Sequence, residues 1–259
     1  MSLYQKASLI CSAIAILLSI LIPLAQYLFK LAKRRKLSII PFSSDSLTLL
    51  FNESGSYFKL SFCIECQNKN STISSICAKI IRKSDKLEKT YTWSCFESVY
   101  INWFGQNSDN RINSVSYARP CKLSADTLEP FIVEFSNSDT KELRELCSTR
   151  DKNLLRYVQF GDKTFTSLDD FHKFYITRDE YHELCGSYKN YLYWLPGEYE
   201  LIIELHHDVR KKKSFSFNFS VTENEYKSFC KNTDSIIFGQ LYKNSNQPMI
   251  HFYSVTKSL

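Results

Sequence analysis

From residue 57 onward the chain is dominated by alternation of apolar and polar side chains. In "YFKLSFCIEC", Phe58, Leu60, Phe62, Ile64 and Cys66 share one face, while Lys59, Ser61, Cys63 and Glu65 share the other. This is the period-two signature of a strand buried on one side. "SICAKIIR" and "KTYTWSCF" repeat it, with Asp85 and Lys86 at the turn between them, and "PFIVEFS" sets Phe131, Val133 and Phe135 against Ile132 and Glu134. The longest instance is "GEYELIIELHHDVRKKKSFSFNFSV". There Tyr199, Leu201, Ile203 and Leu205 face one way, and Phe215, Phe217, Phe219 and Val221 do the same in the return strand. The opposite faces carry glutamate, serine and asparagine, which predicts an antiparallel hairpin with a charged tip and one wet side.

Between about 139 and 195 the period lengthens. "SDTKELREL" offers a cap at Ser138 or Asp139 with Leu143 and Leu146 at helical spacing. "SLDDFHKF" reads as a short helical piece, and "TRDEYHELCG" places Thr177 and Glu180 at capping-box spacing with Gly186 as a stop. The segment is expected to be a mostly helical insertion between two strands. Thr222 and Glu225 repeat the capping-box spacing after the hairpin, so a short helix follows; "SIIFGQLY" and "PMIHFYSV" then read as a closing pair of strands.

The amino-terminal segment follows a different pattern. Residues 7–29, "ASLICSAIAILLSILIPLAQYLF", carry no charged side chain, and as a helix they would extend roughly 34 Å against a hydrocarbon core of about 30 Å. The expectation is a transmembrane helix over 7–29, preceded by a short extracytoplasmic stretch, 1–6. A cleaved signal peptide fits less well, because the apolar run is long and a basic cluster follows it directly. Lys30, Lys33, Arg34, Arg35 and Lys36 lie on the carboxyl side, against Lys6 on the amino side. The positive-inside rule then assigns 30–44 to a basic juxtamembrane segment that contacts anionic lipid, and 45–259 to the cytoplasmic face of a bacterial inner membrane.

Charge changes the picture once this cluster is set apart. The chain has 33 Lys+Arg and 27 Asp+Glu, and the first 36 residues hold six of the basic ones and no acidic one, leaving 27 against 27. The remainder is neutral, so the pI near 8.7 does not signal a nucleic-acid surface, and no nucleic-acid partner is expected. The nine cysteines, odd in number and irregular in spacing, do not describe a disulfide framework and suit a reducing compartment.

Many short strands suggest a β-sandwich. "LPGEYELIIEL" resembles the corner-and-strand segment of immunoglobulin-like and fibronectin-type domains, with Gly197 and Tyr199 at the Gly-x-Tyr positions and Trp93 as a core tryptophan. The resemblance implies an immunoglobulin-like antiparallel β-sandwich, a Tyr199 hydroxyl that ties the corner, and the partly helical insertion as an addition. It spans roughly 45–136 and 197–222.

Candidate chemistry is sparse. Cys63 and Cys66 of "CIEC" fall on opposite faces of a strand, and no second pair completes a zinc site. His206 and His207 are adjacent and point apart. Asp169 precedes His172, and Asp179 precedes His182, by three residues, a spacing that places each pair on one helix face. Tyr188, Tyr191, Tyr193 and Trp194 in "YKNYLYWLPG" offer either a recognition surface or packing between insertion and sandwich. "RKKK" at 210–213 reads as a solvated turn. No nucleotide-binding, serine-hydrolase or zincin motif is present. The expectation is therefore a membrane-anchored, cytoplasmic protein-binding or assembly module with no cofactor, no metal and no catalytic activity, compatible with homo-oligomerisation. Two alternatives are an effector or accessory protein of a bacterial defence or toxin system, and a membrane-bound hydrolase built on the insertion's histidines and acids.

Overall fold

The computed structural model describes residues 3–32, 35–101, 111–136, 140–159, 165, 167–208, 211–243 and 252–259. It opens with helix α1 (Leu3–Ala32). Eight strands follow: β1 (Lys36–Pro41), β2 (Leu47–Asn52), β3 (Gly55–Gln67), β4 (Ser71–Arg82), β5 (Glu88–Ile101), β6 (Arg111–Tyr117), β7 (Cys121–Leu123) and β8 (Thr127–Ser136). Helices α2 (Thr140–Gln159), α3 (Leu168–Tyr175) and α4 (Asp179–Asn190) come next, then β9 (Gly197–His207), β10 (Lys211–Val221), α5 (Glu223–Lys243) and β11 (Val255–Lys257).

All eleven described strands belong to one antiparallel sheet, ordered β10-β9-β4-β5-β8-β3-β2-β11, with β1 added to β3, β6 to β5 and β7 to β4. This corrects the expected immunoglobulin-like sandwich. Alternation fixes which face of each strand is buried and leaves open which edges pair. Here β5 changes neighbours along its length: it pairs with β4 through Tyr91 and Thr92, with β8 through Trp93 and Phe96, and with β6 from Cys95 on, across an irregularity between Trp93 and Cys95. An inserted residue of this kind bends a strand and increases its twist. The ladder therefore continues around the bend as a curled half-barrel and is not cut into two stacked sheets.

One face of the sheet holds the core. The face expected for β3, Phe58, Leu60, Phe62, Ile64 and Cys66, is almost fully buried. The hairpin pairs Leu201 with Phe217 and Ile203 with Phe215. α4 and α5 pack together, and α5 also meets β2, closing one side of the sheet with α2 and α3.

Several local expectations change. Ser167, not a residue of α4, is the side-chain cap, its hydroxyl accepting from the Asp170 amide at 3.1 Å. Helix α4 starts after Arg178, the Thr177 hydroxyl turns back to the Phe174 carbonyl, and the helix runs through Gly186 to Asn190. The segment "SIIFGQLY" is the second half of α5 and not a strand. Of the other closing strand, residues 248–251 lie outside the described residues, and Val255–Lys257 pairs with β2. The cap proposed at Ser138 or Asp139 also lies outside them.

The membrane anchor is corrected as well. Among the described residues no helix is long and apolar enough to cross a membrane. The side chains of 7–11, 13 and 30 lie outside the described set. The single-pass anchor over 7–29, the inner-membrane location and the cytoplasmic orientation read from it are not carried further.

Candidate functional site

The aromatic run before β9 turns inward. Tyr188 and Trp194 are fully buried and Tyr193 nearly so, while Tyr191 keeps partial exposure. The Trp194 indole donates to the Leu50 carbonyl at 2.8 Å and lies 6.3 Å from the Tyr91 ring, stacked. The Tyr193 hydroxyl sits 2.8 Å from the Leu87 carbonyl and 3.0 Å from that of Ile80, with the Arg82 guanidinium over its ring. Burial, reinforced by neighbouring Tyr199, pushes its hydroxyl pKa up. The Tyr188 hydroxyl donates to the Cys147 sulfur, and that of Tyr191 to Glu142, both on α2. These four residues join the helices to the sheet, so three of them present no surface to a partner.

Next to them is the corner that the sequence resemblance implied. The Tyr199 hydroxyl lies 2.6 Å from the Leu195 carbonyl and 3.1 Å from that of Tyr193. Gly197 has φ +145°, a conformation that side-chain-bearing residues rarely adopt. Trp93 is buried in the core, edge-on to Phe96 at 4.4 Å.

The histidine and acid pairs are rearranged. His172 meets Asp234 of α5, at 3.2 Å from Nε2 to the carboxylate. The Tyr181 hydroxyl donates to the same carboxylate at 2.9 Å, and Phe238 packs edge-on against the imidazole at 4.4 Å. Asp169, Asp179 and His182 are exposed. The sequence could not reveal Asp234 as the partner, because it falls between the short helix expected after the hairpin and the strand expected from Ser235. Cys185 adjoins Tyr181, and burial raises its thiol pKa, which keeps it protonated and a weak nucleophile. The arrangement can tie α3, α4 and α5 together; it holds no activated attacking group. Among the described residues no group of three or more His, Cys, Asp or Glu could hold a metal ion. His251 lies outside them.

The basic cluster is divided. Lys33 and Arg34, and the side chain of Lys30, lie outside the described residues, and Lys36 is exposed. Arg35 pairs with Asp208 at the end of the hairpin. His207 also meets Asp208 there, at 3.0 Å, while His206 leans toward Glu204 at 3.8 Å, so the two imidazoles diverge. Cys63 is half-buried and Cys66 fully buried. A polar cleft of about 330 Å³ is lined by Glu65, Gln67, Asn68, Asp126, Thr127 and Leu128. Hydrogen bonds from Gln67 and Ser38 hold the Glu65 carboxyl below its ordinary range.

The remaining feature is an edge. β10 ends the strand order and pairs with β9 without interruption from Lys211 to Val221, eleven residues with no register shift and no proline. Its outer positions Ser214, Ser216, Asn218 and Ser220 are exposed, and its inner rings Phe215 and Phe217 are half-buried. At its start the Lys213 ammonium donates to the Leu37 carbonyl of β1, so β1, added to β3, stands against the first residues of β10.

No family model matches the chain, and no curated protein matches it. Two solved structures are similar at 9% identity. One is Spo0M, a sporulation control protein from Bacillus subtilis, with a TM-score of 0.27 over 73% of this chain and 50% of that one. The other is a family 123 glycoside hydrolase from Clostridium perfringens, with a TM-score of 0.31 over 73% of this chain and 27% of that one. The chain thus spans about half of the first and about a quarter of the second. Likeness at this level assigns neither fold family nor activity.

Proposed function

We propose that the chain is a protein-binding module that receives an extended partner segment along β10. One observation supports this above all: β10 is a long, regular edge strand that ends the described sheet. Such an edge presents backbone amides and carbonyls to an incoming strand. Main-chain hydrogen bonds then supply affinity, and alternate side-chain positions supply specificity. The reading assigns no reaction to the chain. The His172–Asp234–Tyr181 cluster holds helices together, and Tyr188, Tyr193 and Trp194 fix those helices to the sheet.

Affinity capture of the full chain from its own cells tests the reading. Ser216→Lys combined with Asn218→Lys places charges on two exposed edge positions, a device that discourages strand addition. Proteins recovered with the wild type should be lost with this variant. Identical recovery by both would contradict the proposal.

A further inference from the structure

We infer that the strand received by β10 is β10 of a second copy of this chain, paired antiparallel about a twofold axis at Phe217. The inference rests on the reading of β10 as a docking edge and adds the identity of what docks. A twofold at Phe217 sets that ring against its own symmetry mate and places Phe215 opposite Phe219. On the outer face Ser216 meets Asn218, and Ser214 meets Ser220. Like faces meet from Ser214 to Ser220, beyond the point where Lys213 reaches β1, as cross-strand pairing requires because side chains opposite one another share a face. The half-buried rings of Phe215 and Phe217 would be covered by their counterparts.

Charge selects the direction. β10 begins with Lys211, Lys212 and Lys213, of which Lys212 already meets Glu204 at 2.9 Å and Lys213 the Leu37 carbonyl, which leaves Lys211 for a partner; the strand leads into Glu223 and Glu225 in the first turn of α5. Antiparallel pairing brings the lysine end of each copy to the glutamate end of the other, and symmetry makes the match twice. The twofold at Phe217 brings Lys211 near Glu223 of the other copy, just past the end of β10 at the start of α5; both are exposed. Parallel pairing would set lysine beside lysine. Glu225 is already held by Lys257 at 2.5 Å and by the Thr222 amide, so Glu223 is the acid of that turn placed to answer the partner's lysine. With 27 basic and 27 acidic residues beyond the first 36, that part of each copy adds no net repulsion to the contact.

The test uses two differently tagged full-length copies, co-expressed and extracted in a non-ionic detergent that covers the exposed apolar side chains of α1; one tag is captured and the other quantified. The wild type should co-capture. Lys211→Glu reverses two symmetry-related pairs and should lower co-capture by about tenfold, as should Glu223→Lys, since weak surface pairs act here in duplicate. The two changes in one chain should restore it, with unchanged thermal midpoints showing that all variants fold. Equal co-capture in every variant would overturn the inference, because association would then run through α1 or another surface. An acidic peptide as the true occupant would show as weakening by Lys211→Glu without recovery in the charge-swapped chain, which overturns it too. Absence of co-capture in the wild type also overturns it. In that case, proteins lost from capture by the Ser216→Lys/Asn218→Lys variant would keep β10 as a docking edge for another partner, and their retention would remove both readings.

Discussion

At Tyr199 a single hydroxyl ties the corner between α4 and β9. It is fully buried and reaches the carbonyls of Leu195 and Tyr193, so Tyr199→Phe leaves buried acceptors short of a donor. The expected cost is about 1–2 kcal/mol, read as a lower urea midpoint with an unchanged denaturant slope. This corner was legible in the sequence because its parts, Gly197, Tyr199 and the alternating strand after them, are contiguous. The roles of Tyr188, Tyr193 and Trp194 were not legible in that way, since burial depends on which distant residues cover them: Leu50, Ile80 and Cys147 in this fold. His207 sets a pH dependence. Burial, with Arg35, Lys211 and Lys213 nearby, lowers its pKa below the ordinary 6.5, and Asp208 contacts its ring. The unfolded chain therefore takes up the proton first. The stability that His207 contributes is present above pH 6.5 and is lost as pH falls through the lower folded value. Thermal midpoints from pH 7.5 to 5 should fall less steeply for His207→Gln than for the wild type; parallel profiles would exclude the effect.

Among the elements, α5 shows what local signals can and cannot fix. Its start was legible: the Thr222 amide donates to Glu225 at 2.8 Å, and the Glu225 amide to the Thr222 hydroxyl at 3.4 Å, the reciprocal pattern of a capping box. Thr222→Ala should cost about 1 kcal/mol, measured by chemical unfolding. Its length was not legible, because the apolar run Ile236, Ile237 and Phe238 fits a buried strand as readily as a buried helix. Contact with α4 and β2 decides for the helix, and the three side chains are buried there. At the start of β3, Gly55 has φ +92°, and a Cβ there would stand 3.0 Å from the Leu143 methyl of α2. Gly55→Ala should therefore destabilise by about 1 kcal/mol or more, through both backbone strain and crowding.

For the whole molecule, the sequence identified the buried faces of β3, β9 and β10 and left the architecture open. The deciding residues are Trp93 to Cys95, where β5 passes from one neighbour to the next; no periodicity marks such a transfer, and the expected sandwich becomes one curled sheet. A curled open sheet keeps edges that a closed barrel would remove. The exposed large side chains of α1, from Ile14 to Phe29, are a separate apolar surface that the described sheet does not cover. Binding at the β10 edge is the central claim, and hydrogen–deuterium exchange tests it most directly by comparing the isolated chain with the assembly recovered by capture. New protection should fall within Lys211–Val221, where backbone amides pair with the incoming strand. Protection confined to other segments, with β10 unchanged, would contradict the account.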